Sequence, residues 1–172
     1  MRIRDILQKH GSDKQCGHKY GPFYEYLLDR RRNTCDSVLE IGIDQGFSLR
    51  AWREIFGIAQ IVGIDNRPEC QMDGEFRITT FCVDVKDVVA MVKLASQYAP
   101  FETIIDDGSH QLVDQITALS VLRPFLSPTG VYVIEDVLPQ NAEVLIKIPG
   151  ASMYDGNDFT QRGDECLVCY GR

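Results

Sequence analysis

Two acidic clusters carry most of the chemistry this chain could do: Asp106-Asp107-Gly108-Ser109-His110 and Glu135-Asp136. Each follows directly on a short apolar, β-branched run, Ile104-Ile105 in one case and Tyr132-Val133-Ile134 in the other. Runs of that kind read as buried parallel strands. Acids just beyond them therefore sit at the carboxyl ends of strands, where open α/β sheets bind their ligands. Carboxylates gathered there repel one another and raise each other's pKa, and a hard divalent cation such as Mg²⁺ relieves this. His110, three residues after Asp107, is placed to act as a base beside that cation.

A second constellation is Glu40-Ile-Gly42-Ile-Asp44-Gln-Gly46, which follows another apolar run and leads into a helix. Gly42 and Gly46 permit a tight turn and a close backbone approach to a ligand. Asp65 ends the next strand, 23 residues after Gly42. An acid about 20 residues on is where a ribose would be held in a dinucleotide-type fold. The turn is not G-x-G-x-x-G, however, and Glu40 and Asp44 would repel a diphosphate. An acidic turn suits a cationic ligand without phosphate, and S-adenosylmethionine, with its sulfonium and ammonium groups, fits better than a nicotinamide dinucleotide.

The elements that must position these residues alternate from Ser37 onward, as in a parallel α/β sheet. Strands are expected at Ser37–Ile41, Gln60–Ile64, Arg77–Val83, Phe101–Ile105 and Gly130–Ile134. A sixth is expected at Glu143–Ile148 and a seventh, antiparallel in one reading, at Glu165–Tyr170. Helices are expected at Ser48–Phe56, Val88–Tyr98 and Asp114–Leu122. The fold class is thus α/β: a doubly wound, three-layer, mostly parallel seven-stranded sheet. Residues 1–33, with helical signals at Ile3–His10 and Phe23–Arg31, form an N-terminal helical cap, and residues 34–172 the Rossmann-like domain. The polar, aromatic stretch with Lys14, His18, Tyr20 and Tyr24 could fold over the cofactor as a lid, Lys14 or His18 meeting its carboxylate or the substrate. Surface helix-start chemistry explains Gly11-Ser12-Asp13 equally well. Trp52 is read as packing alone.

At 172 residues, the chain is long enough for one domain with a real core. Its net charge of −7 argues against nucleic acid and anionic membranes as partners. No run approaches the length of a membrane span, and Met1-Arg2-Ile3-Arg4-Asp5 lacks a signal peptide's apolar core, so a cytoplasmic protein is expected. Of the cysteines at 16, 35, 70, 82, 166 and 169, only Cys166 and Cys169 are closely spaced. Residues three apart on a strand face opposite ways, which speaks against a zinc site.

The segments V-L-E-I-G-I-D-Q-G-F-S and I-V-G-I-D resemble the cofactor motifs of class I S-adenosylmethionine-dependent methyltransferases. I-I-D-D-G-S-H paired with Y-V-I-E-D, and the upstream G-S-D-K…H-K-Y-G-P-F-Y, resemble a narrower group, the macrocin and mycinamicin sugar O-methyltransferases. The resemblance runs from Gly11 to about Val168. It implies Asp107, Glu135 and Asp136 as magnesium ligands and His110 as general base. Gly42 and its neighbours, among them Glu40, Gly46 and Ser48, would hold the methionine moiety, Asp65 the ribose, and Asp84 would lie near the adenine. Asp106 is expected to point elsewhere, to the cofactor or into a structural hydrogen bond. Pro128-Thr129-Gly130 stands where many relatives have Pro-Gly-Gly, and Val83 where a glycine is common.

The implied activity is Mg²⁺-assisted transfer of a methyl group to a sugar hydroxyl of a glycosylated small molecule, a vicinal diol offering two oxygens to the metal. A catechol-type acceptor presents the same pair of oxygens. A non-catalytic cofactor- or metal-binding domain is the alternative from another class, and a homo-oligomer is left open.

Overall fold

The computed structural model describes residues 1–155 and 166–171. Seven strands form one sheet: β1 (Ser37–Ile41), β2 (Gln60–Asp65), β3 (Ile78–Cys82), β4 (Phe101–Asp106), β5 (Leu126–Val137), β6 (Ala151–Asp155) and β7 (Cys166–Gly171). Their order is β3-β2-β1-β4-β5-β7-β6. The first five pair in parallel, and β7 lies antiparallel between β5 and β6. The order reverses at β1 and β4, so the ends of those two strands flank the crevice where such sheets bind ligands.

Each strand of the sheet's centre is apolar on both faces because helices cover both. Val38, Ile61, Ile105 and Val133 face one core, with Trp52 and Phe56 from the stretch that begins with α4 (Phe47–Ile55). Leu39, Ile41, Val62, Ile104 and Ile134 face the other, against α5 (Val88–Tyr98), α6 (Leu112–Leu122) and α7 (Pro139–Leu145). This period of two gives the runs their continuous hydrophobicity. Cys166 and Cys169 obey it too, packing on opposite sides.

The N-terminal helices α1 (Ile3–His10), α2 (Asp13–Cys16) and α3 (Gly21–Leu28) lie on the α4 side. Ile3, Leu7, Tyr24 and Leu28 are fully buried in the same core as Trp52. These residues are therefore part of the domain's core layer and reach the strand ends from above α4.

The expected strand at Glu143–Ile148 is instead the end of α7 and the turn after it. Pro139 opens that helix, and Ala142 and Leu145 turn inward while Val144 and Ile146 stay exposed, a helical spacing. The sixth strand is Ala151–Asp155, a half-exposed edge strand with no apolar run to announce it. The strand start expected at Arg77 moves to Ile78, since Arg77 has φ 58°. Glu165, the expected start of the seventh strand, lies outside the described residues.

Candidate active site

Strand parity decides which way each acid points. Glu40 on β1, and Asp107 and Glu135 one step past Asp106 and Ile134, which are paired in register, share the face toward α4 and the N-terminal helices. Asp106 has the opposite parity. Its Oδ2 accepts a hydrogen bond from the Tyr132 hydroxyl at 3.3 Å and its Oδ1 one from the Gly108 N–H. Burial pushes the Asp106 carboxyl up to about 7.

On the α4 face, the three carboxylates converge on a single ammonium. Lys14 Nζ lies 2.5 Å from Asp107 Oδ2, 2.7 Å from Glu135 Oε2 and 3.1 Å from Glu40 Oε1, with its side chain only 1% exposed. Burial works against the charge, but the three acids together hold the Lys14 pKa well above its ordinary value. Glu135 also accepts from the Tyr24 hydroxyl through Oε1, and Glu40 from Ser48 Oγ at 2.8 Å and Trp52 Nε1 at 3.1 Å. Burial raises the Glu40 and Glu135 pKa values, with Lys14 opposing.

Asp136 turns away from that cluster. Among the described residues, four non-glycine positions have positive φ, and Asp44, His110 and Asp136 are three of them, all at the site. That sparsely populated conformation costs energy and marks places where function sets the backbone. Asp136 Oδ1 accepts from the Tyr20 hydroxyl at 2.6 Å and lies 3.3 Å from His18 Nδ1, while Oδ2 faces His110 Nε2 at 3.9 Å. Asp107, His110 and Asp136 each offer one ligand atom, all within 4.8 Å of one another. Two carboxylates beside a buried, unpartnered His110 Nδ1 are a donor set that a hard divalent cation fits.

In front of the glycine turn lies a cavity of about 580 Å³, lined among others by Gly42, Ser48, Asp65, Asp84 and His110. Its size suits a nucleoside-sized ligand. Asp65 ties the turn to the end of β2: its Oδ2 accepts from the Ile43 and Asp44 N–H groups and its Oδ1 from the Arg67 N–H and Nε. Burial would raise the Asp65 pKa, but these hydrogen bonds hold it down at about 2. A second, shallower cavity of about 460 Å³ adjoins the first, and His110 lines both.

The residues expected to meet a cofactor thus divide. Gly42, Ser48, Asp65 and Asp84 line the cavity. Glu40 and Asp106 are buried beneath it, and Gly46, at φ 71°, caps α4. Lys14, His18 and Tyr20 lie off the cavity wall, Lys14 on the cluster of Glu40, Asp107 and Glu135 and the other two against Asp136, because the N-terminal helices approach the sheet from the α4 side. Of the acids expected at the metal, Asp107 and Asp136 meet His110, whereas the Glu135 carboxylate is engaged by Lys14 and Tyr24. Arg67 and the hydrogen-bonding role of Trp52 escaped the sequence reading. A cation two residues after the acid that ends β2 was the available signal for Arg67.

No family model matches the chain. It is 35% identical over 142 residues to the 8-demethyl-8-alpha-L-rhamnosyl tetracenomycin-C 2'-O-methyltransferase of Streptomyces olivaceus, covering 78% of this chain and 37% of that protein. It is 37% identical over 127 residues to the mycinamicin VI 2''-O-methyltransferase of Micromonospora griseorubida, covering 70% of this chain and 32% of that one. Among solved structures, the MycE methyltransferase from the mycinamycin biosynthetic pathway, in complex with Mg, SAH and mycinamycin VI, aligns with a TM-score of 0.72 at 32% identity, over 79% of this chain and 37% of that chain. The chain spans about a third of the length of these curated relatives. By its strand order, its glycine turn with the acid at the end of β2, and these similarities, it belongs to the class I S-adenosylmethionine-dependent methyltransferases, alongside the macrocin and mycinamicin sugar O-methyltransferases.

Proposed function

We propose that the chain is the methyl-transferring domain of an S-adenosylmethionine-dependent, Mg²⁺-assisted O-methyltransferase whose acceptor is a hydroxyl of a glycosylated small molecule. The observation that carries this reading is the position of His110. It stands on the wall common to the two cavities, with Asp107 and Asp136 beside it. Relatives that act on sugar-bearing natural products support the acceptor class, and the net charge of −7 speaks against a nucleic-acid acceptor.

The glycine turn and Asp65 would seat the donor, Ser48 and Asp84 adding polar contacts along the same wall. Asp107 and Asp136 would hold the metal. When bound, the donor brings an activated methyl group, and the metal lowers the acceptor hydroxyl's pKa and orients it. The second cavity would seat the acceptor: Gln111, Gln140 and Asn141 offer amides to sugar hydroxyls, and Leu112 and Leu138 offer apolar surface. His110 takes the hydroxyl proton as the carbon–oxygen bond forms and the carbon–sulfur bond breaks. The N-terminal helices, which set His18 and Tyr20 against Asp136, would order the floor of the site.

Titration with S-adenosylmethionine and S-adenosylhomocysteine, with Mg²⁺ or EDTA and with NAD as control, tests the reading. Micromolar binding of the sulfur ligands, followed by Mg²⁺-dependent methylation of glycosylated acceptors, is the expected result. Binding without turnover on any sugar or catechol acceptor would leave a cofactor-binding domain, and no binding would overturn the reading.

A further inference from the structure

We propose that the Arg67 guanidinium is an internal stand-in for the donor's ribose: it fills the acceptor positions of Asp65 until the ribose diol displaces it onto Asp44. The statement rests on the reading of the first cavity as the S-adenosylmethionine site.

Asp65 has no acceptor position to spare. Three main-chain N–H groups already point at it: Ile43 and Asp44 at Oδ2, 2.9 and 3.3 Å away, and Arg67 at Oδ1, 3.0 Å away. The Arg67 side chain adds its fork, with Nε 3.1 Å from Oδ1 and Nη2 3.3 Å from Oδ2. A carboxylate offers about four lone-pair sites, and all of them are taken here. The Asp65 side chain is left only 5% exposed although the residue lines the cavity. A ribose cannot donate two hydrogen bonds to it while the guanidinium is in place.

The donors on Asp65 differ in how easily they leave. Ile43 and Asp44 belong to the glycine turn, and Pro68 holds Arg67 in extended backbone, with φ −100° and ψ 119°. The guanidinium is the loose member. Its side chain is 48% exposed, and Nη2 already lies 3.4 Å from Oδ1 of the exposed Asp44. Swinging toward Asp44 therefore opens no core and leaves neither charge unpaired. The carboxylate keeps a full set of donors in both states, and a buried acid without them would be costly. Arg67 is thus a positioning residue that holds Asp65 ready in the empty site, at some loss of donor affinity. An arginine that gripped the donor would have the opposite effect.

Calorimetric titration of the whole chain with S-adenosylhomocysteine and with its 2′,3′-dideoxy analogue tests the exchange. R67A keeps the main-chain N–H and removes only the competitor. It should bind S-adenosylhomocysteine about threefold to tenfold more tightly, because a half-exposed ion pair no longer has to open first. Affinity for the dideoxy analogue should change by less than about twofold, since that ligand makes no demand on Asp65. R67K, a point charge without the fork, should fall between R67A and the unaltered chain for the diol ligand, and it carries the comparison if R67A does not fold. Equal gains for both ligands would mean that Arg67 only narrows the cavity, and unchanged or weaker binding by R67A would mean that it supports the donor. Either result overturns the proposal and leaves the donor site standing. Absence of binding by every chain would overturn the reading of the cavity itself, and this proposal with it.

Discussion

Gly42, at φ 91°, passes directly beneath the backbone carbonyl of Asp107, so close that any Cβ at position 42 would fall well inside contact distance of that oxygen. The Asp107 N–H donates to the Ile41 carbonyl at 2.9 Å, which locks the two strand ends together. Gly42→Ala forces them apart and strains the turn. We expect at least tenfold weaker S-adenosylhomocysteine binding and a lower unfolding midpoint, both checked on one preparation by calorimetry.

Asp65 has two separable effects. Asp65→Ala frees the turn amides at Ile43 and Asp44 and removes the carboxylate that would hold a ribose. Losing a charge-assisted hydrogen bond costs about 1.5–3 kcal/mol, so cofactor affinity should fall roughly tenfold to a hundredfold by equilibrium titration.

The same carboxylate makes the fold sensitive to acid. Its pKa of about 2 lies below the ordinary 3.8, so the ionised form is favoured in the folded state. That stabilisation is complete above about pH 4 and is lost as the pH falls through about 2. Asp65→Asn should therefore show a flatter decline of the unfolding midpoint between pH 4 and 2. A decline as steep as in the unaltered chain would mean other groups dominate the acid limb.

His110→Ala should reduce methyl transfer by about 10²–10⁴-fold, the usual contribution of a positioned base, while S-adenosylhomocysteine affinity stays within a few-fold. Single-turnover kinetics beside a binding isotherm distinguish this from a loss of the cofactor site, which would lower both.

Trp52→Phe keeps most of the ring's packing between Tyr24 and Phe56 but leaves Glu40 without its Nε1–H donor. An under-satisfied buried carboxylate costs about 1–3 kcal/mol, so the midpoint should drop by several degrees in a thermal melt, with cofactor affinity little changed.

The central strands were legible because helices on both faces make them continuously apolar, and the acids were legible because they interrupt such runs at the ends. The sixth strand was not legible. Ala151–Asp155 mixes half-buried and exposed residues at an edge without alternation, and the apolar Val144, Leu145 and Ile146 nearby imitate a strand better than it does. Pro139 was the signal that a helix begins there. In the site, parity alone could have turned Asp106 away from Asp107. It could also have set Glu40, Asp107 and Glu135 on one face, since all three follow from counting along paired strands. What the sequence could not show is that a lysine in the polar stretch Gly11-Ser12-Asp13-Lys14 is among the most deeply buried side chains. Its partners lie 26, 93 and 121 positions away, and only the packing of Tyr20 and Tyr24 carries it there.

The place of β7 has a consequence for the order in which the molecule can be assembled. Residues 166–171 lie between β5 and β6, and among the described residues β6 pairs with no other strand. A nascent chain that has emerged only as far as residue 155 therefore holds the glycine turn, Asp65, His110 and the paired acids. It still presents the open backbone edge of β5 and a β6 with nothing to join. All of these residues precede, in sequence, the strand that completes this side of the sheet, and β7 pairs directly with the strand that carries Glu135 and Asp136.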